Sequence, residues 1–152
     1  MQHPLDQLAI EMFQTFARFE YSLKTAGFHH GNGAAEANWR KFAENEGVAE
    51  LFDNPQDEPL KDAVTYILEH PPKKQMIANG LLEWDPAAPN TNLRSDLVLI
   101  YVRRVRNNLF HGGKFNGHWF APERSEALLR HSLTILRACL AASDDLSQAY
   151  NG

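Results

Sequence analysis

The chain has 152 residues and a single cysteine, so an intrachain disulfide is excluded and no Cys/His set has the spacing of a zinc site. Cys139 lies among Leu136, Ala138, Leu140 and Ala141 and reads as a small buried apolar residue. No apolar run approaches the roughly 18 residues of a membrane span. The first residues, Met1-Gln2-His3-Pro4, lack the charged and apolar regions of a secretion signal, so the expected setting is the cytoplasm, with no membrane partner. Cations are not in excess either: 15 Lys and Arg face 19 Asp and Glu, a formal net charge of −4. That balance argues against a protein that coats nucleic acid nonspecifically, because such binding needs a surplus of phosphate-neutralising side chains. Internal repeats and alternating strand patterns are also missing.

What is present is helical periodicity in one domain, residues 1–152. A domain of this length buries roughly 68–70% of the surface its unfolded chain exposes, enough to fold without metal or disulfide. Leu5, Leu8, Met12, Phe16, Phe19 and Leu23 recur at spacings of three and four, giving a first helix from Pro4 to Ala26 with Gly27 as its stop. A second helix is expected from Ala35 to about Phe52, weakened near its middle by Gly47, where it can bend or break. A shorter one follows from about Pro59 to Glu69 and is stopped by Pro71-Pro72. Residues Lys73 to Trp84 are expected to make one or two short turns before a loop from Asp85 to Asn90. Thr91 or Asn92 caps a fourth helix that carries Leu97, Val98, Tyr101, Val102, Val105 and Leu109 and ends at Gly112-Gly113. Pro122 opens a last helix to about Gln148. The expected fold is all-α, an antiparallel bundle of about five helices.

Charge is locally uneven. Between Arg94 and Lys114 lie Arg94, Arg103, Arg104, Arg106 and Lys114 against the single acid Asp96, a focused basic patch in which Arg103, Arg104 and Lys114 are candidate phosphate contacts. On a helical wheel Arg106 falls within an apolar sector covering more than half the circumference of its helix. A guanidinium there must be paired or must hold an anion, since nothing else replaces its lost hydration. In continued helix geometry Arg106 and His111 would point about 140° apart, but Gly112 and Gly113 allow the chain to unwind. Two readings stay open at this point. In one, Arg106 pairs with a carboxylate such as Glu20 and His111 caps the helix dipole. In the other, both side chains serve a site.

The run Arg106-Asn107-Asn108-Leu109-Phe110-His111 resembles the Arg-polar-x-x-x-His signature of the HEPN superfamily (higher eukaryotes and prokaryotes nucleotide-binding domain), whose members are small helical bundles and often ribonucleases. Arg18 to Lys24 is similar to the first helix of small HEPN proteins encoded on mobile elements. The resemblance spans essentially the whole chain and implies a HEPN-like bundle that cleaves RNA without a metal or other cofactor. It implies that His111 moves a proton, Arg106 grips the phosphate, and Asn107 orients the imidazole or donates to phosphate, while Glu20 supports them. It further implies a homodimer with two facing motifs and allows an antitoxin partner. Where HEPN toxins silenced by nucleotidyltransferases carry a tyrosine two residues after the histidine, this chain has Gly113, which argues against that route of control. Without catalysis, the same patch would bind RNA, nucleotide or a protein.

Other histidines and aromatics carry less. His29-His30 reads as a loop pair, since adjacent residues seldom converge on one ion. Lys114 to Phe120 interleaves Lys114 and His118 with Phe115, Trp119 and Phe120, a composition suited either to stacking bases or to docking the loop on the core.

Overall fold

The computed structural model describes residues 4–110, 114–115, 118–119 and 122–152, with Phe110 and the two short middle segments described as backbone. Among these residues the chain is mostly helical. The first helix, α1 (Pro4–Thr25), buries the expected stripe from Leu5 to Leu23. It ends as its glycine predicts: Gly27 takes a φ of 96°, Phe28 N–H reaches back to Leu23 O (2.8 Å) and Gly27 N–H to Lys24 O (3.4 Å). This double closure satisfies the last carbonyls and delivers Phe28 edge-on to Phe42, 5.2 Å between ring centroids.

Where one helix was expected over residues 35–52, the chain forms two, α2 (Trp39–Glu44) and α3 (Glu46–Asp53). Asn45 causes the break. Its ψ of 131° leaves the helical region, and its Oδ1 accepts the N–H groups of Gly47 and Val48 at 3.1 and 3.4 Å. Gly47 is thus inside the first turn of α3 rather than at the break. Asn38 caps α2 in the same way through Lys41 N–H. The kink lets Trp39 and Phe42 of α2 and Val48 and Phe52 of α3 all reach one core. Asp57 and an early proline start α4 (Glu58–Glu69), with Asp57 Oδ2 accepting from Leu60 N–H at 3.2 Å.

Residues 73–84, expected to make only one or two short turns, form extended strands. Lys74–Ala78 (β1) and Leu81–Asp85 (β2) form an antiparallel hairpin. Asn79 and Gly80 between them both have positive φ, 52° and 76°, as a tight two-residue hairpin turn requires. Helix α5 (Arg94–Phe110) carries the motif, and two residue pairs after it, Lys114–Phe115 (β3) and His118–Trp119 (β4), make a second small hairpin. The fold is therefore helical with two short hairpins rather than purely helical. The final helix is also divided, into α6 (Pro122–Ala142) and α7 (Asp144–Asn151), because Ser143 leaves the helix and caps α7 through Leu146 N–H.

Packing places α6 between α1 and α4, folds α7 back onto α1, and sets α2 and α3 against α5. Val98, Leu99, Val102 and Val105 of α5 are buried in the same core as Met12, Phe16 and Phe19 of α1. None of the described helices is long and apolar enough to cross a membrane. Cys139 is fully buried, and burial pushes its thiol pKa far up.

Two outcomes follow for stability. Asn45→Ala removes the cap shared by two N–H groups and lowers the unfolding free energy by about 1 kcal/mol in urea titration. His131 stacks on Tyr66, whose ring also meets His70, each at 4.7 Å. Burial depresses the His131 pKa below its usual 6.5 against the pull of Asp62. A depressed histidine contributes stability that is complete above the unfolded pKa and is lost as pH falls below it. The urea midpoint should therefore drop between about pH 7.5 and about pH 5.5, and drop less in His131→Gln.

Candidate functional site

The site is organised by one indole. Trp39 is 4% exposed and stacks on Phe19 (5.2 Å, 12° between planes) and Phe16 (5.4 Å, 27°) of α1. Its Nε1–H donates to Glu20 Oε2 at 2.8 Å, and the guanidinium of Arg103 from α5 lies over its ring, 5.4 Å from the centroid. Glu20 was expected to support Arg106 or His111; its carboxylate receives the indole and faces Arg103. The geometric reason is that Glu20 lies one residue past Phe19, on the flank of α1 that meets α2.

Three of the four arginines of the patch, Arg103, Arg104 and Arg106, have different surroundings. Burial lowers the Arg103 pKa, with Asp96 and Glu20 acting in opposition, and its Nε–H donates to Leu99 O at 3.3 Å. This guanidinium is turned into the structure. Asp96, 5% exposed, accepts from Arg40 Nη1 at 2.8 Å, and the Arg40 pKa is raised chiefly by that bond. Buried Ser95 donates to Ala43 O at 2.7 Å. The start of α5 is thereby fixed to α2, and its far end is left to carry the motif.

At that far end Arg106 is half-buried. Its guanidinium carbon lies 5.3 Å from the centroid of Phe16, and its Nη1–H donates to Asn107 Oδ1 at 3.1 Å. The expected apolar setting of Arg106 is thus an aromatic face on α1, and the neighbouring amide orients the guanidinium. Asn107 is exposed and keeps its own N–H groups as donors. His111 lies outside the described residues, as does the side chain of Lys114, whose backbone is in β3.

Arg104 lies over Tyr101, 5.6 Å from the centroid, and donates to Ala87 O at 3.2 Å in the segment following β2. Asn108 Nδ2–H donates to Lys73 O at 2.9 Å. These two bonds hold the first hairpin beside the motif helix. Between them lies a cleft lined by Lys74, Gln75, Arg104, Asn107 and Asn108, two cations and three amides with no carboxylate. Lys74, Gln75 and Asn108 were missed by sequence reasoning. The Asn79-Gly80 pair between apolar residues was the signal that could have found the hairpin. Such a lining can hold a phosphate or another oxyanion by charge-assisted hydrogen bonds. Compared with protein families, curated proteins and solved structures, the chain matches none.

Removing the indole donor tests the organising role of Trp39. Trp39→Phe keeps an aromatic plane but leaves the Glu20 carboxylate without its partner, and should lower the unfolding free energy by about 2 kcal/mol in chemical denaturation.

Proposed function

We propose that the chain is a metal-independent endoribonuclease of HEPN type, a cytoplasmic homodimer that cleaves RNA and serves as a toxin or antiphage effector. The observation that carries this reading is the Arg106 guanidinium held against Phe16 and bonded to Asn107 at 3.1 Å, beside a cleft rich in cations and amides. Arginine offers two parallel N–H groups to a phosphate, which lysine cannot.

The chemistry is internal transfer. A neutral His111 takes the proton of a ribose 2′-hydroxyl, the 2′-oxygen attacks the adjacent phosphorus, and Arg106 stabilises the charge that develops on the phosphorane oxygens. The bond to the 5′-oxygen then breaks, and that oxygen takes a proton from a protonated His111 of the second subunit. A cyclic 2′,3′-phosphate and a 5′-hydroxyl are left. Imidazole suits both roles because its ordinary pKa is about 6.5. Ile10, 42% exposed on α1, adds apolar surface that a second subunit would cover. Arg104 is the RNA contact beside the motif, with Lys114 a further phosphate contact. An antitoxin would act by covering this patch.

Purified protein incubated with single-stranded RNA in EDTA should release fragments ending in cyclic phosphate. Arg106→Ala and His111→Ala should each reduce the rate at least about 100-fold while leaving the circular dichroism unchanged. Asn107→Ala should have a smaller effect in the same direction. Undiminished cleavage in both of the first two variants rules the reading out. RNA binding without scission by the unaltered protein would instead make it a noncatalytic module.

A further inference from the structure

The second strand of the first hairpin has an open edge. β1 meets α5, whereas the strand partner of β2 among the described residues is β1 alone. The apolar residues of β2, Leu81, Leu82 and Trp84, are between 44% and 65% exposed. Which backbone groups lie along the edge follows from the turn. A two-residue turn with both φ angles positive closes on a hydrogen-bonded pair, here Ala78 with Leu81. Bonded and non-bonded pairs alternate along an antiparallel ladder. Ile77 with Leu82 and Gln75 with Trp84 are therefore the non-bonded pairs. The N–H and C=O of Leu82 and Trp84 point away from β1, and no described residue bonds them. Side chains divide the same edge by chemistry. Successive residues alternate between faces, so Leu82 and Trp84 share one and Leu81, Glu83 and Asp85 the other. Asp85 stands across from Lys74, but Glu83 stands across from Met76, and the Glu83 carboxylate is in no ion pair among the described residues.

We propose that β2 is the docking edge for an extended segment of another protein, one that alternates apolar and basic residues and joins the hairpin as a third, antiparallel strand. Its apolar residues lie opposite Leu82 and Trp84 and exchange backbone hydrogen bonds with them. Its basic residues lie opposite Glu83 and Asp85, as cross-strand pairs of opposite charge. Charge selects this occupant over a second copy of the chain. In the twofold register that bonds every outward group of Leu82 and Trp84, Glu83 meets Glu83 of the other copy, two like charges in the closest kind of cross-strand pair. Glu83 thereby guards the edge against self-pairing, a usual role of charge on an exposed strand. Joining β2 of one copy to β1 of the next is head-to-tail and does not close, and β1 already lies against α5. RNA is disfavoured because both carboxylates repel its phosphates and it has no peptide backbone to extend the ladder. The inference stands apart from the ribonuclease reading, since a noncatalytic module would carry the same edge.

The test uses the full-length protein and a short synthetic peptide alternating lysine and valine, labelled with fluorescein and followed by anisotropy. Its Kd should be tighter than about 1 mM. Methylating the backbone nitrogens of the valines keeps the charge of the peptide but removes the N–H groups that face β2, and should abolish binding. Glu83→Lys should weaken the lysine peptide about tenfold and confer binding of a peptide alternating glutamate and valine. In hydrogen exchange followed by NMR, the lysine peptide should slow the N–H groups of Leu82 and Trp84. Absence of binding up to about 1 mM overturns the proposal. Equal binding of the methylated peptide does so too, because the attraction is then one of charge alone. Leu82→Pro removes an outward N–H without breaking a bond of the hairpin. Self-association in sedimentation that this variant abolishes also overturns the proposal, the occupant then being a second copy. Slowing of the same two N–H groups by single-stranded RNA would assign the edge to nucleic acid instead.

Discussion

Trp39 is the constraint on which the rest of the arrangement depends. It joins three helices at one point: its ring lies against Phe16 and Phe19 of α1, its N–H engages Glu20, and the guanidinium of Arg103 from α5 lies over it. A buried indole must find an acceptor, and a partly buried carboxylate must find a donor. The pair meets both needs, and the adjacent guanidinium offsets the remaining negative charge. This contact agrees with the rotation of α5 that its buried Val98, Leu99, Val102 and Val105 require. With Arg103 turned inward, the next helical positions, Arg104, Asn107 and Asn108, turn toward the first hairpin, and Arg106 turns toward Phe16.

That rotation explains how one basic helix serves two purposes. Arg103 faces the half-buried Glu20 and Arg40 engages the buried Asp96, and Arg104 borders a cleft whose lining holds no carboxylate. The negative net charge of the chain and a cationic site are therefore compatible, because the local field at the motif is decided by which acids are already engaged. Arg106 is intermediate. Its contact with Phe16 gives it an aromatic support that restricts its motion, and Asn107 fixes the direction of its N–H groups. A guanidinium held in advance loses less freedom when an anion arrives, which is how an arginine contributes most to binding a phosphate.

The first hairpin owes its position to the same helix. Two strands with exposed Ile77, Leu81 and Leu82 have little core of their own, and the bonds from Arg104 to Ala87 and from Asn108 to Lys73 join them to α5 at their base. An attachment made at one end leaves the tip, Asn79-Gly80, projecting from the bundle. Binding surfaces are often built in this way, with a rigid helix setting the origin of a small element that carries the contacts.

Much of the helical scaffold was legible in the residues themselves. The stripe from Leu5 to Leu23 and the apolar positions of α5 follow from a period of 3.6, which is a local property of the chain. Caps were less legible: Asn45 and Ser143 each interrupt what reads as one helix, because a side chain that bonds its own backbone competes with helix continuation only when packing rewards the bend. The hairpin at 74–85 was hidden by apolar residues whose alternation is too weak to announce a strand, although Asn79-Gly80 marks its turn. At the candidate site, the motif residues Arg106 and Asn107 and the basic character of the segment were determined by sequence alone. Which carboxylate meets which cation was not. Glu20 is 19 residues from Trp39 and Asp96 is 56 from Arg40, so their partnerships depend on how α1, α2 and α5 pack. Only the tertiary structure decided that Arg103 would be spent inside and Lys74 brought to the motif, because charge pairing across helices is a matter of distance in space, which periodicity along the chain does not encode.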